Sequence, residues 1–315
     1  MVRKFQAKSF HETYNDLFSW LVLIFNRHSI KLLQQDAGQE FREDMVLTGI
    51  QFSPDSAWLT RSLGATILRK CESKMSYQIL SLEAVAEYLH LTEADIAQRV
   101  KSNEIPHEKR GNRIVFPKDE IDLWASQRLL RLPGQRLTEY HQKSTQATRE
   151  ILPHEALLPD MIQPSFAAPA LTAKTKSSVL HELVALAAIT GRLSNSRDLL
   201  ASLEAREALC STGMPGGFAL PHPRVPDPYL FETSFIILGR TVQAIHFGAP
   251  DGKPTSLFFL ICCQDDRLHL HTLARICLIA QNTAILEQLR QSADGPSMHA
   301  ALLAAEEQAL AETKT

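Results

Sequence analysis

The segment from Ser256 to Cys263 is almost entirely apolar, and it constrains the fold more than any other part of this 315-residue chain. An apolar run of this length predicts a strand that is buried on both faces. Residues 233–238 are β-branched and aromatic and predict a second strand, and helices are predicted over 178–189, 197–209, 268–280 and 283–290. Because strands alternate with helices, we expect a layered α/β domain.

Residues 75–132 carry a different pattern of short elements. One apolar face over 82–89 predicts a first helix, and Thr92 with Asp95 resembles a capping box at the start of a second helix. A hairpin with a Gly-Asn turn is predicted over 108–116, and a third helix follows it. Helix, tight turn, helix, hairpin and helix is the pattern of a winged helix-turn-helix domain.

The segments Ile79–Leu89, Ile105-Pro106, Arg110–Arg113 and Asp122–Trp124 resemble the excisionase-type, MerR-like DNA-binding domain. The resemblance covers nearly all of 77–127. It implies that the second helix enters the major groove and that the wing touches phosphate or the minor groove. The residues that it places on DNA are Gln98, Arg99 and Lys101 on the helix and Lys109, Arg110 and Arg113 on the wing.

Charge gives this interpretation only partial support. Acidic residues slightly outnumber basic ones over 75–132, whereas phosphate binding usually brings a basic excess. Three of the basic residues nevertheless lie together on the wing. Two functions therefore stay open for this domain: DNA binding, and protein interaction or dimerisation.

The segments outside these two domains are interpreted from their composition. Residues 1–74 lack clear periodicity, and we regard them as an extension of unknown role or as sequence upstream of a native start at Met75. The apolar block Leu17–Phe25 is too short to span a bilayer as a helix. Residues 133–154 are polar and broken by Pro133-Gly134, which predicts a linker. The odd number of cysteines, with no Cys-x-x-Cys pair, indicates reduced thiols in a cytoplasmic protein.

The stretch from Ser211 to Arg224 holds a histidine rigidly. Pro221 and Pro223 restrict the backbone on both sides of His222, and glycines before them allow tight turns and close approach of a ligand. His269 follows the apolar strand, at the end where α/β sheets usually bind ligands. Histidines, an arginine at 206 and a glycine-rich loop suit phosphate handling. Since the chain has no Walker motif, kinase signature or acidic metal cluster, we expect a phosphoprotein donor and no cofactor.

Five segments in this order resemble the type-2 EIIA domain (fructose, mannitol and nitrogen class) of the bacterial phosphoenolpyruvate-dependent phosphotransferase system. They are Leu203–Glu207, Ser211–Gly213, Ala219–Arg224, Ala249–Pro254 and His269–Ala274. The resemblance covers 155–312, which we expect to form a three-layer α/β domain with a mixed central sheet. It implies that His222 is the tele-phosphorylated residue and that His269 and Arg206 complete the active site, with Thr212, Gly213 and Arg224 supporting the phosphate.

The family implies that HPr, or its nitrogen-branch counterpart, donates the phosphoryl group. Pro223 departs from the family's usual glycine and removes an N–H that could donate to phosphate. The preferred interpretation is a regulatory phosphocarrier, a carrier rather than a stand-alone enzyme, that controls DNA binding. A transport EIIA that passes phosphate to a sugar-specific EIIB is the alternative. A histidine metal site at His222, His269 and His271 is a third hypothesis; its carboxylate or cysteine ligands are missing, so we assign no metal.

Overall fold

The computed structural model describes residues 78–148, 151, 154–224 and 229–312, and these lie within one compact unit, Tyr77–Thr315. The predictions made for residues 1–74, including the apolar block, lie outside the described residues. Within the described ranges, no helix combines the length and apolar character that a membrane crossing requires.

The winged helix-turn-helix pattern is confirmed. A three-stranded antiparallel sheet in the order β1-β3-β2 lies beside three helices. Thr92 and Asp95 form the reciprocal capping box, and Gly111 makes the hairpin turn with a φ of +63°. The elements are β1 (Ile79–Leu80), α1 (Leu82–Tyr88), α2 (Glu93–Lys101), β2 (Glu108–Arg110), β3 (Arg113–Pro117) and α3 (Lys118–Leu129).

The linker prediction is wrong over most of its length. Residues Gly134–Thr148 form a helix, α4, that buries Leu137, His141, Ser144 and Thr148. Only one of these four side chains is apolar, so this segment lacks the hydrophobic stripe by which a buried helix is recognised in a sequence. The buried polar atoms are instead satisfied by hydrogen bonds, such as that between Ser144 Oγ and His271 Nδ1 at 2.8 Å.

A buried charge network attaches α4 to the C-terminal domain. Arg275 donates from Nε to His141 Nε2 (2.7 Å) and from Nη1 to Glu306 Oε1 (2.6 Å), and both charged side chains are fully buried. The Glu306 carboxylate also accepts from the backbone N–H groups of Leu157 and Leu158. Because its members lie on α4, on residues 157–158, on α8 and on α10, this network holds α4 and the start of the C-terminal domain in one position relative to α8 and α10.

The C-terminal domain has the predicted α/β class, with a mixed central sheet in the order β4-β7-β8-β6-β5. β4 runs parallel to β7 and β6 parallel to β8, while the pairs β7–β8 and β5–β6 are antiparallel. The strands are β4 (Ala167–Leu171), β5 (Gly213–Met214), β6 (Phe218–Ala219), β7 (Phe235–Ile245) and β8 (Thr255–Cys262).

Helices before and after these strands complete the domain. The predicted helices are all present, and their bounds differ from the prediction by a few residues. They are α5 (Leu158–Met161), α6 (Lys176–Ile189), α7 (Ser196–Leu209), α8 (Asp266–Asn282), α9 (Ile285–Gln291) and α10 (Gly295–Glu312), with a short 3-10 turn at Pro164–Phe166. The predicted buried strand, β8, is the central strand, and its residues 257–262 are fully buried.

Candidate functional site

Two histidines meet at one edge of the central sheet. His222 follows β6, and His269 lies in the first turn of α8, just after β8. Because β6 and β8 are parallel, their carboxyl ends reach the same edge. The two imidazole centroids are 4.9 Å apart, with an angle of 52° between the rings. The sequence prediction that places His269 beside His222 therefore agrees with the geometry.

The hydrogen bonds of His222 define its chemistry. Its Nδ1 lies 2.8 Å from the carbonyl oxygen of Leu220, so this nitrogen carries the proton and donates. Nε2 is then the unprotonated nitrogen, and Arg206 Nε donates to it at 3.0 Å. Arg206 Nη1 donates to the carbonyl of Cys210 (2.9 Å), while Nη2 is buried without a hydrogen-bond partner among the described residues. A guanidinium with a spare donor thus lies beside a nucleophilic nitrogen.

Both histidines are neutral at physiological pH. Burial, followed by the charge of Arg206 and the proximity of His269, holds the pKa of His222 well below its usual value. Burial, then Arg206 and Lys118, lowers the pKa of His269 to about 3. Neutral imidazole is the form that has a free electron pair for nucleophilic attack.

Glu207 positions the loop in front of the site. It lies next to Arg206 on α7, and its carboxylate accepts from the backbone N–H of Thr212 (3.1 Å) and from the Thr212 hydroxyl (2.7 Å). Lys176 donates to the same carboxylate at 2.9 Å. The hydroxyl of Thr212 therefore points to Glu207. At Gly213, a Cβ atom would lie 2.8 Å from the backbone nitrogen of Ala249, so only glycine fits there.

We expect Glu207→Ala to lower the free energy of unfolding by about 2–3 kcal/mol, because it leaves the buried N–H and hydroxyl of Thr212 without acceptors. Urea denaturation followed by circular dichroism measures the change. Glu204→Ala, which alters an exposed carboxylate on the same helix, is the matched control and should change stability by less than about 0.5 kcal/mol. Equal losses in the two variants would contradict this role of Glu207.

Two further residues of the sequence analysis, Arg224 and His271, have other neighbours. Arg224 is exposed, and its backbone N–H donates to Ser202 Oγ (3.0 Å). His271 stacks on His141, with ring centroids 4.8 Å apart, and bonds Ser144. The three-histidine metal hypothesis thus loses its third ligand, because His271 is engaged on the α4 side of the helix.

The winged-helix side of the unit reaches this site, a contact that no sequence pattern predicts. Lys118, at the start of α3, forms an ion pair with Asp266 in the first turn of α8. Arg131, just after α3, donates from Nη2 to the sulfur of Cys210 at 3.6 Å. Together with Gln127 and Leu130, Arg131 lines a small cavity of about 130 Å³, and Arg206 lies on its other side.

The predicted DNA-contacting residues are mostly exposed. Gln98 and Lys101 project from α2, and Lys109, Arg110 and Arg113 project from the wing. Arg99 is the exception. It forms a salt bridge with Glu104 at 2.9 Å and lies 6.0 Å from the centroid of the Trp124 ring, so its guanidinium packs against its own domain.

Comparison with known proteins supports both halves of the described unit. Residues 79–129 match the model of a helix-turn-helix domain. Residues 160–304 match the model of the phosphoenolpyruvate-dependent sugar phosphotransferase system, EIIA 2.

Individual relatives match the same C-terminal region. A nitrogen regulatory protein of Bradyrhizobium diazoefficiens is 34% identical over 146 residues, which are 45% of this chain and 92% of the relative. A fructose-specific EIIABC component of Bacillus subtilis is 26% identical over 39% of this chain and 19% of the relative. The crystal structure of nitrogen regulatory protein IIA-Ntr from Neisseria meningitidis covers 45% of this chain and 97% of its own, with 27% identity and a TM-score of 0.41. Through its C-terminal domain, this chain belongs to the EIIA type-2 family of the phosphoenolpyruvate-dependent sugar phosphotransferase system.

Proposed function

We propose that the chain is a regulatory phosphocarrier of the cytoplasm. His222 accepts a phosphoryl group on Nε2 from HPr or an HPr-like carrier of the nitrogen branch, and the winged helix-turn-helix domain transmits this state to DNA. The observation that carries the proposal is the pair of hydrogen bonds on His222. One keeps the proton on Nδ1, and the other brings Arg206 to Nε2.

The transfer follows from this geometry. The Arg206 Nε–H first turns from His222 Nε2 to an oxygen of the incoming phosphoryl group, which frees the electron pair of Nε2. This pair attacks the phosphorus of the donor's phosphohistidine, a new N–P bond forms, and the donor imidazole leaves with the electrons of the old N–P bond. The Leu220 carbonyl stabilises the positive charge that develops on the ring through Nδ1–H. Arg206 has a spare Nη2 donor for the oxygens of the phosphoryl group.

The test is incubation of the full chain with phosphoenolpyruvate, enzyme I and HPr, or the nitrogen-branch carrier. We expect acid-labile phosphate on the peptide that contains His222, located by mass spectrometry under neutral conditions. Absence of phosphate with both carriers, or phosphate on a different histidine, would overturn the proposal.

Removal of the Arg206 guanidinium should slow phosphorylation strongly. We expect Arg206→Met to reduce the initial rate by about 100-fold or more, as for other single donors to a developing anionic centre. Rapid-quench measurement of His222 phosphate gives the rate. Arg224→Met is the comparison, because Arg224 is exposed and family resemblance alone assigns it to the phosphate. A loss for Arg224→Met as large as that for Arg206→Met would contradict the dominant role of Arg206.

For the winged-helix domain, the exposed wing cations Lys109, Arg110 and Arg113 support DNA binding. A selection of random duplexes with the full chain at low salt tests this half of the proposal. Enrichment of a sequence motif supports it, whereas no enrichment leaves the protein-interaction interpretation.

A second candidate is a transport role, in which His222 passes the phosphoryl group to an EIIB domain. The similarity to the fructose-specific EIIABC component favours it. Loss of phosphate from the loaded chain on mixing with a purified EIIB, at a rate comparable to HPr-dependent loading, would distinguish transport from regulation.

A further inference from the structure

We propose that α3 of the winged-helix domain and the phosphocarrier protein compete for the same face of the C-terminal domain, so that α3 must move away before His222 is phosphorylated. This inference rests on the proposed function of His222. The segment Lys118 to Arg131, which we term the α3 cover, is the part of the chain that occupies this face.

The cover spans the site from one side to the other. At its first residue, Lys118 pairs with Asp266, one helical turn before His269. At its last residue, Arg131 contacts Cys210, whose carbonyl accepts from Arg206. A helix of this length extends about 20 Å, which is enough to bridge the His269 side and the Arg206 side of the site.

The acceptor is inaccessible in this arrangement. His222 is 2% exposed and Arg206 is 1% exposed. In-line transfer needs the donor's phosphohistidine to reach Nε2 directly, and a transient protein complex of this kind buries on the order of 500 Å² on each partner. Within the described residues, Gln127, Leu130 and Arg131 lie beside Arg206, where the donor has to approach.

The contacts that hold the cover are suited to reversible opening. Helix α3 packs against α8, and its polar contacts at the two ends are weak. The Lys118–Asp266 pair is partly exposed, with 20% and 24% of the two side chains accessible, and Arg131 contributes one N–H···S contact. The cavity of about 130 Å³ shows that the cover is not tightly packed against the Ser211–Met214 loop. The buried charge network of α4 holds the two domains together independently of these contacts.

The experiment reverses the charge of the interface in the full chain. Asp266→Lys places a lysine opposite Lys118, and Asp266→Asn only removes the attraction. Asp266→Glu keeps a carboxylate opposite Lys118 and leaves the ion pair of Lys118 with the buried Asp122 intact. Glu307→Lys, which changes an exposed carboxylate on α10 by the same charge, is the matched control.

At limiting HPr, or limiting nitrogen-branch carrier if that is the donor, we expect Asp266→Lys to gain phosphate roughly tenfold faster than wild type, as for a loss of about 1.4 kcal/mol in the closed state. Asp266→Asn should be intermediate, and Asp266→Glu and Glu307→Lys should match wild type. An Asp266→Lys rate no higher than wild type, or an Asp266→Glu variant as fast as Asp266→Lys, overturns the inference.

Alkylation of Cys210 by a maleimide provides a second measurement that needs no phosphoryl transfer. Cys210 is half-buried beneath Arg131, so opening of the cover should accelerate its labelling, read from the mass of its peptide. If no variant is phosphorylated, the proposed function fails, but the cover is still tested. Equal labelling of Cys210 in wild type and Asp266→Lys then overturns it.

Discussion

The His222→Ala variant is expected to gain no acid-labile phosphate in the presence of phosphoenolpyruvate, enzyme I and carrier protein. The reason is local, because Nε2 of His222 is the unprotonated ring nitrogen and lies against the Arg206 guanidinium, which donates to it. His269 lies beside it, with its pKa lowered to about 3 by burial and by Arg206 and Lys118, and is expected to assist rather than accept. Radiolabelled transfer followed by acid and alkaline hydrolysis measures the difference.

The matched control for this prediction is His246→Ala. His246 is exposed and lies on the same domain, so its removal should leave both the rate and the extent of labelling unchanged. Labelling of His222→Ala to the wild-type extent would contradict the assignment. Partial labelling that maps to His269 would show instead that the two neighbouring imidazoles can exchange roles.

The site could be predicted because each of its parts lies in a short, ordered stretch of sequence. His222 stands between prolines, and His269 follows the apolar strand β8. The parallel pairing of β6 with β8, which brings the two histidines together, involves only two residues of β6. A strand this short leaves no periodicity in the sequence, so its position was implied by the family resemblance and not by any pattern.

Helix α4 and the position of Arg99 were not predicted, because both depend on contacts between residues that are distant in the sequence or that a family resemblance does not specify. The sequence pattern predicts a linker at α4 because three of its four buried side chains, His141, Ser144 and Thr148, are polar. Their burial depends on partners far away in the chain, such as Arg275 for His141 and His271 for Ser144. The family resemblance places Arg99 on DNA, whereas in the structure its guanidinium contacts Glu104 and Trp124 of its own domain.

The α3 cover could not be predicted for the same reason. Lys118 and Asp266 are each ordinary first-turn residues of their own helices. They form an ion pair only because the two domains pack together. The two family matches describe each domain separately. Neither the sequence pattern nor the family resemblance therefore predicts the surface on which the two domains touch.

Acid is expected to destabilise the folded chain steeply between pH 7.5 and pH 5.5. Burial is the main cause that lowers the pKa of four deeply buried histidines: His141 and His269 to about 3, His271 to about 2, and His222 well below its usual value. Burial also lowers the pKa of the half-buried His90. In the unfolded chain the same groups bind protons below pH 6.5, so the unfolded state takes up more protons as the pH falls. Each histidine then costs roughly 1.4 kcal/mol over this interval, or about 5 kcal/mol in total.

Two buried carboxyls act in the opposite direction. Burial raises the pKa of Glu306 and of Asp122, so their protonation in the folded chain favours folding in acid. Because four histidines oppose two carboxyls, we expect acid to lower the free energy of unfolding on balance. A total of about 5 kcal/mol is comparable with the whole stability of many domains, and we therefore expect unfolding near pH 5.

Urea denaturation at pH 7.5, 6.5 and 5.5 measures this dependence. His141→Gln retains an acceptor for Arg275 Nε and removes one titrating group, so it should lower the slope by about a quarter. His246→Gln, which removes an exposed histidine, should leave the slope unchanged. Equal stability at pH 7.5 and pH 5.5 in wild type would mean that the four histidines are solvated or paired with an acid in solution. In that case the inference that His222 is buried and closed to the donor would also be wrong. The same burial both lowers the pKa of His222 and hides its Nε2 from the donor.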